Sequence, residues 1–525
     1  ALLAVAMVCA MAIPAFAGNY WETEEDLGTN HCYDAFQIFD GVVSDDNTIS
    51  NVGWGSSIAH PNEFLAQLTE DLTIGDKFET SFTPQEAAAV ISQWSDSDNN
   101  SIAFARCVCN YVYSDRDSTP VLQGGHTNGF KLEKAGYYLI VDTSSFSSDA
   151  NNDSYHAYNS FLLKVNKANY HVQITPKVVK PTVEKKVYDN DDNSTSDDNN
   201  GWGSSADHAI NEEFKFRLIA KLPASEGRAY DYYKKYTVCF NDTLSEGITF
   251  DKLDTVEITN GDGGASQVID AANYTRTPNG SQFFKLSIDD VKTCAEGLDL
   301  NKGATITVTY TAHLNDKAYV NTGSGSTENK NSVRLQYSNN PRPDGEYWGY
   351  TPNYTPESEV YVYTYQLNNT KRAETENGTP LPGAGFKLYS DKAYEHEVKL
   401  YKEGNFYYPI KNALDKTPVE MKSADDGTFN VRGLDAGTYY LKETTTPADF
   451  TPCSVIPPVT ITANHTKDYV DLSGNLSTTI INKKAGGITL PSTGGIGTTL
   501  FYVVGGGLMV AAIVLLVTKK RMENK

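Results

Sequence analysis

Lysine, acid and asparagine recur in this chain where a strand would turn them inward among apolar neighbours. Val183, Lys185 and Val187 alternate onto one face of an extended segment. Tyr236, Val238, Phe240 and Asp242 do the same, as do Asn329, Asn331, Val333, Leu335 and Tyr337. Farther along, Tyr439, Leu441 and Glu443 share a face within Leu434–Thr444, which sets a second acid among core residues. A lone buried carboxylate is costly and must be protonated or paired. A buried lysine loses its proton and becomes a nucleophile, while a carboxylic acid kept neutral polarises a carbonyl and relays protons. From pattern alone, an edge-strand residue at a sheet margin is the plainer reading of Glu443. Lys186 faces away from Val183 and Val187, so Lys185 is the lysine of interest.

Strands must position these groups. Short apolar–polar alternations recur along the 525 residues, Tyr and Gly are abundant, and helical periodicity is rare outside the ends; the expected class is all-β. The length suits three or four domains. A first module is expected over 18–179, with strand-like Gly136–Val141 and Tyr158–Val165 and a helix capped by Thr83 with Pro84 in its first turn. A second spans 180–367, with an acidic, Asn- and Ser-rich loop at Asp189–Asn200, and a third spans 368–487. Gly53-Trp54-Gly55-Ser56-Ser57 and Gly201-Trp202-Gly203-Ser204-Ser205, each followed by Asn, Glu and Phe, suggest that the first two modules are related.

The two ends carry addresses. Residues 1–17 read as an apolar export-signal core whose Ala15-Phe16-Ala17 sets the mature start near Gly18; with no initiating Met or basic flank, the signal peptide is expected to be truncated here. At the other end, 488–525 holds Leu490-Pro491-Ser492-Thr493-Gly494, an apolar run Ile496–Val517, and Lys519-Lys520-Arg521. About 22 residues at roughly 1.5 Å each suffice to cross a bilayer, with the basic end held on the cytoplasmic side. The formal net charge of −22 argues against a nucleic-acid partner and suits a soluble extracellular protein. Beyond Cys9, six cysteines remain, and Cys239 and Cys294 fall in one module, where they could pair. No C-x-x-C or H-E-x-x-H spacing points to a metal, Asp142–Phe146 fails D-x-S-x-S, and Gly505–Gly507 lies within the apolar run. No enzyme site, metal or cofactor is expected.

Leu490–Gly494, with the apolar run and basic tail behind it, resembles the L-P-x-T-G sorting signal of Gram-positive surface proteins, which a sortase cleaves between Thr and Gly. Tyr439-Tyr440-Leu441-Lys442-Glu443-Thr444 resembles the E-box of Gram-positive pilins and collagen-adhesin B-type domains. In that family the Glu promotes an amide bond between a lysine on the first strand and an asparagine on the last. The matching positions are Lys371 and Asn482, with Ala373 where many relatives carry Asp. Phe240–Gly247 and Leu335–Pro341 resemble the middle domain of shaft pilins, where the acid is Asp; the resemblance implies Lys185, Asp242 and Asn331, with Asn329 and Asn339 as alternative acceptors. Val172-Gln173-Ile174-Thr175-Pro176-Lys177 is similar to the pilin motif, although Ile and Thr replace Val and Tyr and no Trp precedes it. Lys177 would be the acceptor for polymerisation.

The resemblance implies tandem immunoglobulin-like β-sandwiches in a sortase-assembled pilus shaft subunit, anchored to the Gram-positive cell wall and supporting adhesion. Its implied partners are identical subunits joined head to tail, pilus-specific and housekeeping sortases, peptidoglycan and minor or tip pilins, with the membrane only before sorting. A monomeric wall-anchored adhesin is the alternative.

Overall fold

Alternation is realised as paired sheets. In the strand Glu213–Leu222 every second residue, from Phe214 through Phe216, Leu218 and Ala220 to Leu222, enters the core, and the residues between are more exposed. The computed structural model describes residues 32–523 apart from 44–48, 96–97, 127–129, 144–159, 166–169, 173–179, 190–199, 226–227, 279–281, 342–353, 413–414 and 487–495. Among these the protein is predominantly β, in several packed sheets.

The middle domain is a sandwich of two six-stranded sheets. One holds Thr182–Tyr188, Glu213–Leu222, Ala304–Leu314 and Ile248–Asn260 as neighbours. The facing sheet runs Ser205–Asp207, Ser358–Tyr363, Lys330–Tyr337, Val238–Leu244, Phe283–Ile288 and Tyr274–Pro278. One large core lies between them, including Phe216, Phe240, Tyr310, Leu335 and Tyr337.

The third domain pairs a five-stranded with a six-stranded sheet. Its first strand, Tyr365–Ala373, lies parallel to its last, Ser477–Asn482, with Lys371 opposite Ile480 and Ala373 opposite Asn482. The strand Gly437–Thr445 belongs to the facing sheet. The first strand starts at Tyr365, one residue after the middle domain's Ser358–Tyr363, so the junction is the single buried residue Thr364. Ile210 N–H donates to Gly433 O across this junction at 2.9 Å. Gly433 sits at φ 78°, and a Cβ there would lie 2.5 Å from Ile210 Cδ1, so close approach requires glycine.

The first module differs locally from the all-β expectation. Its five-stranded sheet carries the helices Pro61–Glu70, Pro84–Ile91 and Asn99–Ser114. The expected helix forms with the Thr83–Glu86 capping box. Asn99–Ser114 was not expected; Asp98 caps it, and Phe104, Val108, Tyr111 and Val112 are buried from it. The shared Trp phrase does not mark a shared fold: Asn62–Phe64 enters the helix begun by Pro61, whereas Phe214 lies in a strand. Pro at the first helical turn in one copy, and alternating apolar residues in the other, decide the outcome.

Cys239 and Cys294 are free thiols and are not joined. Each is a buried small side chain, and their Sγ atoms lie near the carbonyls of Phe240 and Val291. At the C-terminus, Ile496–Glu523 is a single helix. Among the described residues no helix is long and apolar enough to cross a membrane. The membrane expectation therefore rests on the sequence of Ile496–Val517.

Candidate functional site

Two buried lysine–acid–asparagine clusters form, one in each of the last two domains. In the third, Lys371 and Asn482 come from neighbouring parallel strands and Glu443 reaches them from the facing sheet. Lys371 Nζ donates to Asn482 Oδ1. Asn482 Nδ2 donates to Glu443 Oε1 at 2.6 Å, and that oxygen lies 3.6 Å from Lys371 Nζ. Lys371 and Asn482 are fully buried, and the Glu443 side chain is 2% exposed. The backbone N–H of Cys453 donates to the other carboxyl oxygen of Glu443 at 2.7 Å, which fixes the carboxyl plane. Burial lowers the Lys371 pKa against the opposing pull of Glu443. One carboxyl oxygen thus sits beside both the Lys371 amine and the Asn482 amide nitrogen.

The middle cluster draws on four strands already described. Lys185 Nζ contacts Asp242 Oδ1, and Lys185 Nζ donates to Tyr310 Oη at 3.1 Å. The Tyr310 hydroxyl donates to Asp242 Oδ2 at 2.6 Å and accepts from Asn331 Nδ2 at 2.5 Å. Burial pulls Lys185 down to about 8 and raises Asp242, each opposed by the other's charge. Burial also pushes the Tyr310 hydroxyl well above its ordinary value, so it remains protonated. The Phe216 ring centroid lies 5.2 Å from Lys185 Nζ. Asn331 Oδ1 is buried without a hydrogen-bond donor among the described residues.

The asparagines left open by sequence occupy different settings. Asn329 accepts from the Tyr319 N–H at 2.8 Å and donates to the carbonyls of Tyr319 and Val362. Asn339 lies buried beyond the end of Lys330–Tyr337. Asn331 is set against Tyr310. Tyr310 was not singled out from sequence; its signal was the inward register shared with Ile306, Val308 and Ala312. The Cys453 amide had no sequence signal, because any residue supplies a backbone N–H.

Lys177 and Leu490, Pro491, Ser492, Thr493 and Gly494 lie outside the described residues.

Residues 367–475 match the family described as SpaA, prealbumin-like fold domain, and residues 482–524 match the LPXTG cell wall anchor motif. No curated protein matches the chain. Among solved structures, it is similar to the T6 backbone pilin of serotype M6 Streptococcus pyogenes at 16% identity and TM-score 0.49, covering 87% of this chain and 96% of that one. The full-length major pilin SpaD from Corynebacterium diphtheriae gives 17% identity and TM-score 0.41, covering 87% and 93%. The 35 kDa C-terminal fragment of the major pilin GBS80 of Streptococcus agalactiae gives 20% and 0.41, covering 58% and 99%.

Proposed function

We propose, for a cell-wall-anchored surface protein whose residues 367–475 are a prealbumin-like SpaA domain and whose residues 482–524 are an LPXTG anchor, that it is the shaft subunit of a covalently polymerised pilus. The observation that carries this reading is the pair of buried clusters, each linking strands distant in sequence, in a chain that ends in a wall anchor. In each cluster the neutral lysine Nζ attacks the asparagine Cγ. The new Cγ–Nζ bond forms, the Cγ–Nδ2 bond breaks, and the lysine proton passes to the departing nitrogen, which leaves as ammonia. Glu443 relays that proton directly, whereas Asp242 acts through Tyr310. Lys371–Asn482 would tie the first strand of its domain to the last, so tension would load a covalent bond instead of a strand ladder.

Between subunits, a sortase cleaves the Thr493–Gly494 bond and holds the Thr493 acyl group on its cysteine. Lys177 of the next subunit displaces that cysteine, and a Thr493–Lys177 amide forms. Repetition gives a head-to-tail fibre, since a heterologous contact of this kind need not close. Immunoblotting of wall extracts tests the reading. A high-mass ladder that collapses in a Lys177→Ala strain supports it; a single band in the unaltered strain means a monomeric adhesin instead.

A further inference from the structure

Asp189, Asp207 and His465 meet at the boundary of the middle and third domains, and neither amide-forming cluster uses them. Asp189 follows the strand Thr182–Tyr188, Asp207 ends Ser205–Asp207, and His465 ends Val459–His465 of the third domain. Their exposures are 3%, 0% and 0%. His465 Nε2 lies 3.4 Å from Asp189 Oδ2 and 3.7 Å from Asp207 Oδ1. One ligand atom from each residue falls within 4.8 Å of the others. On the far side of the ring, His465 Nδ1 lies 2.8 Å from Ser205 Oγ. Tyr363 stacks on the imidazole at 5.7 Å between centroids, and the Asp207 N–H donates to Asp189 Oδ2 at 3.0 Å.

We infer that this cluster is a binding site for a divalent first-row transition metal of the zinc class, joining the two domains. Around a tetrahedral ion with bonds of about 2.0–2.2 Å, donor atoms stand roughly 3.3–3.6 Å apart. The two measured separations from Nε2 fall at or next to that range. The donor set is mixed: an imidazole nitrogen favours zinc, copper or nickel over calcium or magnesium, which prefer oxygen alone. Ser205 holds the opposite ring nitrogen, as outer partners of metal-bound histidines do, and so aims Nε2 at the carboxylates. Two carboxylates and one imidazole nitrogen are a donor set that a single divalent cation can bridge. The positions are far apart in sequence, so no short spacing motif announces them.

The site binds a middle-domain loop and strand end to a third-domain strand end. Metal occupancy would therefore restrain the same junction that Thr364 and Gly433 make short and close. The experiment uses the purified full chain, stripped with a chelator, dialysed, and titrated with zinc chloride under calorimetry. Metal content is then measured after gel filtration. One zinc per chain is expected, with stoichiometric binding lost in His465→Ala and in Asp207→Asn. Ser205→Ala should weaken binding about 10–100-fold, as loss of an outer partner does. His60→Ala, in the exposed cluster with Asp115 and Asp117, should leave the stoichiometry unchanged. Absence of bound zinc in the unaltered chain, or retention of one zinc in Asp207→Asn, overturns the assignment. The unaltered chain alone decides the first outcome, so misfolding of a variant cannot protect the proposal. The result is also independent of whether the chain polymerises.

Discussion

Tyr310 donates its hydroxyl hydrogen to Asp242 at 2.6 Å while the same oxygen accepts from Asn331 at 2.5 Å. The acid of the middle domain therefore reaches the Asn331 amide nitrogen through a phenol, whereas Glu443 bonds Asn482 directly. Tyr310→Phe keeps the ring in its core position and removes the relay. Bond formation in the middle domain should slow by about 10²–10⁴-fold, the usual contribution of a proton-transfer group. Mass spectrometry of digests taken at intervals after synthesis would follow this, with Lys371–Asn482 as an internal control that should keep its rate. Equal rates for Lys185–Asn331 in the two proteins would remove Tyr310 from the chemistry.

Asn331→Ala leaves Lys185 and Asp242 unreacted and free to titrate. Burial holds Lys185 near 8 against an ordinary 10.5, so between those values the unfolded chain binds more protons than the folded one. Stability from this lysine should therefore rise with pH from about 8 to about 10.5. Asp242 has the opposite sign: its raised pKa contributes stability that is complete in acid and is lost as pH rises through its folded-state value. Urea midpoints of Asn331→Ala, compared with Asn331→Ala/Lys185→Met, should diverge across the alkaline window. Parallel curves would mean that Lys185 titrates normally.

Glu443→Ala should leave Lys371 and Asn482 unjoined. A tie across residues 111 apart restricts the unfolded chain much as a long-loop disulfide does. Its loss should cost about 4 kcal/mol, with a matching rise in protease sensitivity of the third domain. Chemical denaturation read by pulse proteolysis of the third domain checks this, and an unchanged midpoint would contradict it.

Gly433→Ala introduces a Cβ 2.5 Å from Ile210 Cδ1 at a residue held at positive φ. A destabilisation of about 1–3 kcal/mol is expected. Adding Ile210→Ala should relieve the clash in part but not the backbone strain. Denaturation midpoints that do not move in Gly433→Ala would show that the junction tolerates separation.

Much of this was legible in the sequence because strands have a period of two. Val183/Lys185/Val187 and Tyr236 through Asp242 carry their inward face in plain alternation, so Lys185 and Asp242 could be placed before any fold was seen. Lys371 and Asn482 lack so clear a pattern, and only the resemblance points to them. Tyr310 was hidden for the opposite reason: among Ile306, Val308 and Ala312 it reads as one more core residue, and only the fold reveals its hydroxyl between acid and amide. The helix Asn99–Ser114 was obscured because its capping Asp98 stands in an Asp-, Asn- and Ser-rich run that also reads as a loop. His465 meets Asp189 and Asp207 only because two domains close on each other, which no local pattern encodes.

The most direct test of the covalent account is the intact mass of the folded chain, produced without any added enzyme. The expected mass falls short of the sequence mass by two ammonias, with one restored in Glu443→Ala and the other in Asp242→Ala. Digestion should then yield branched peptides joining Lys185 to Asn331 and Lys371 to Asn482. A folded chain with the full sequence mass would contradict the account, leaving both clusters as ordinary buried polar networks.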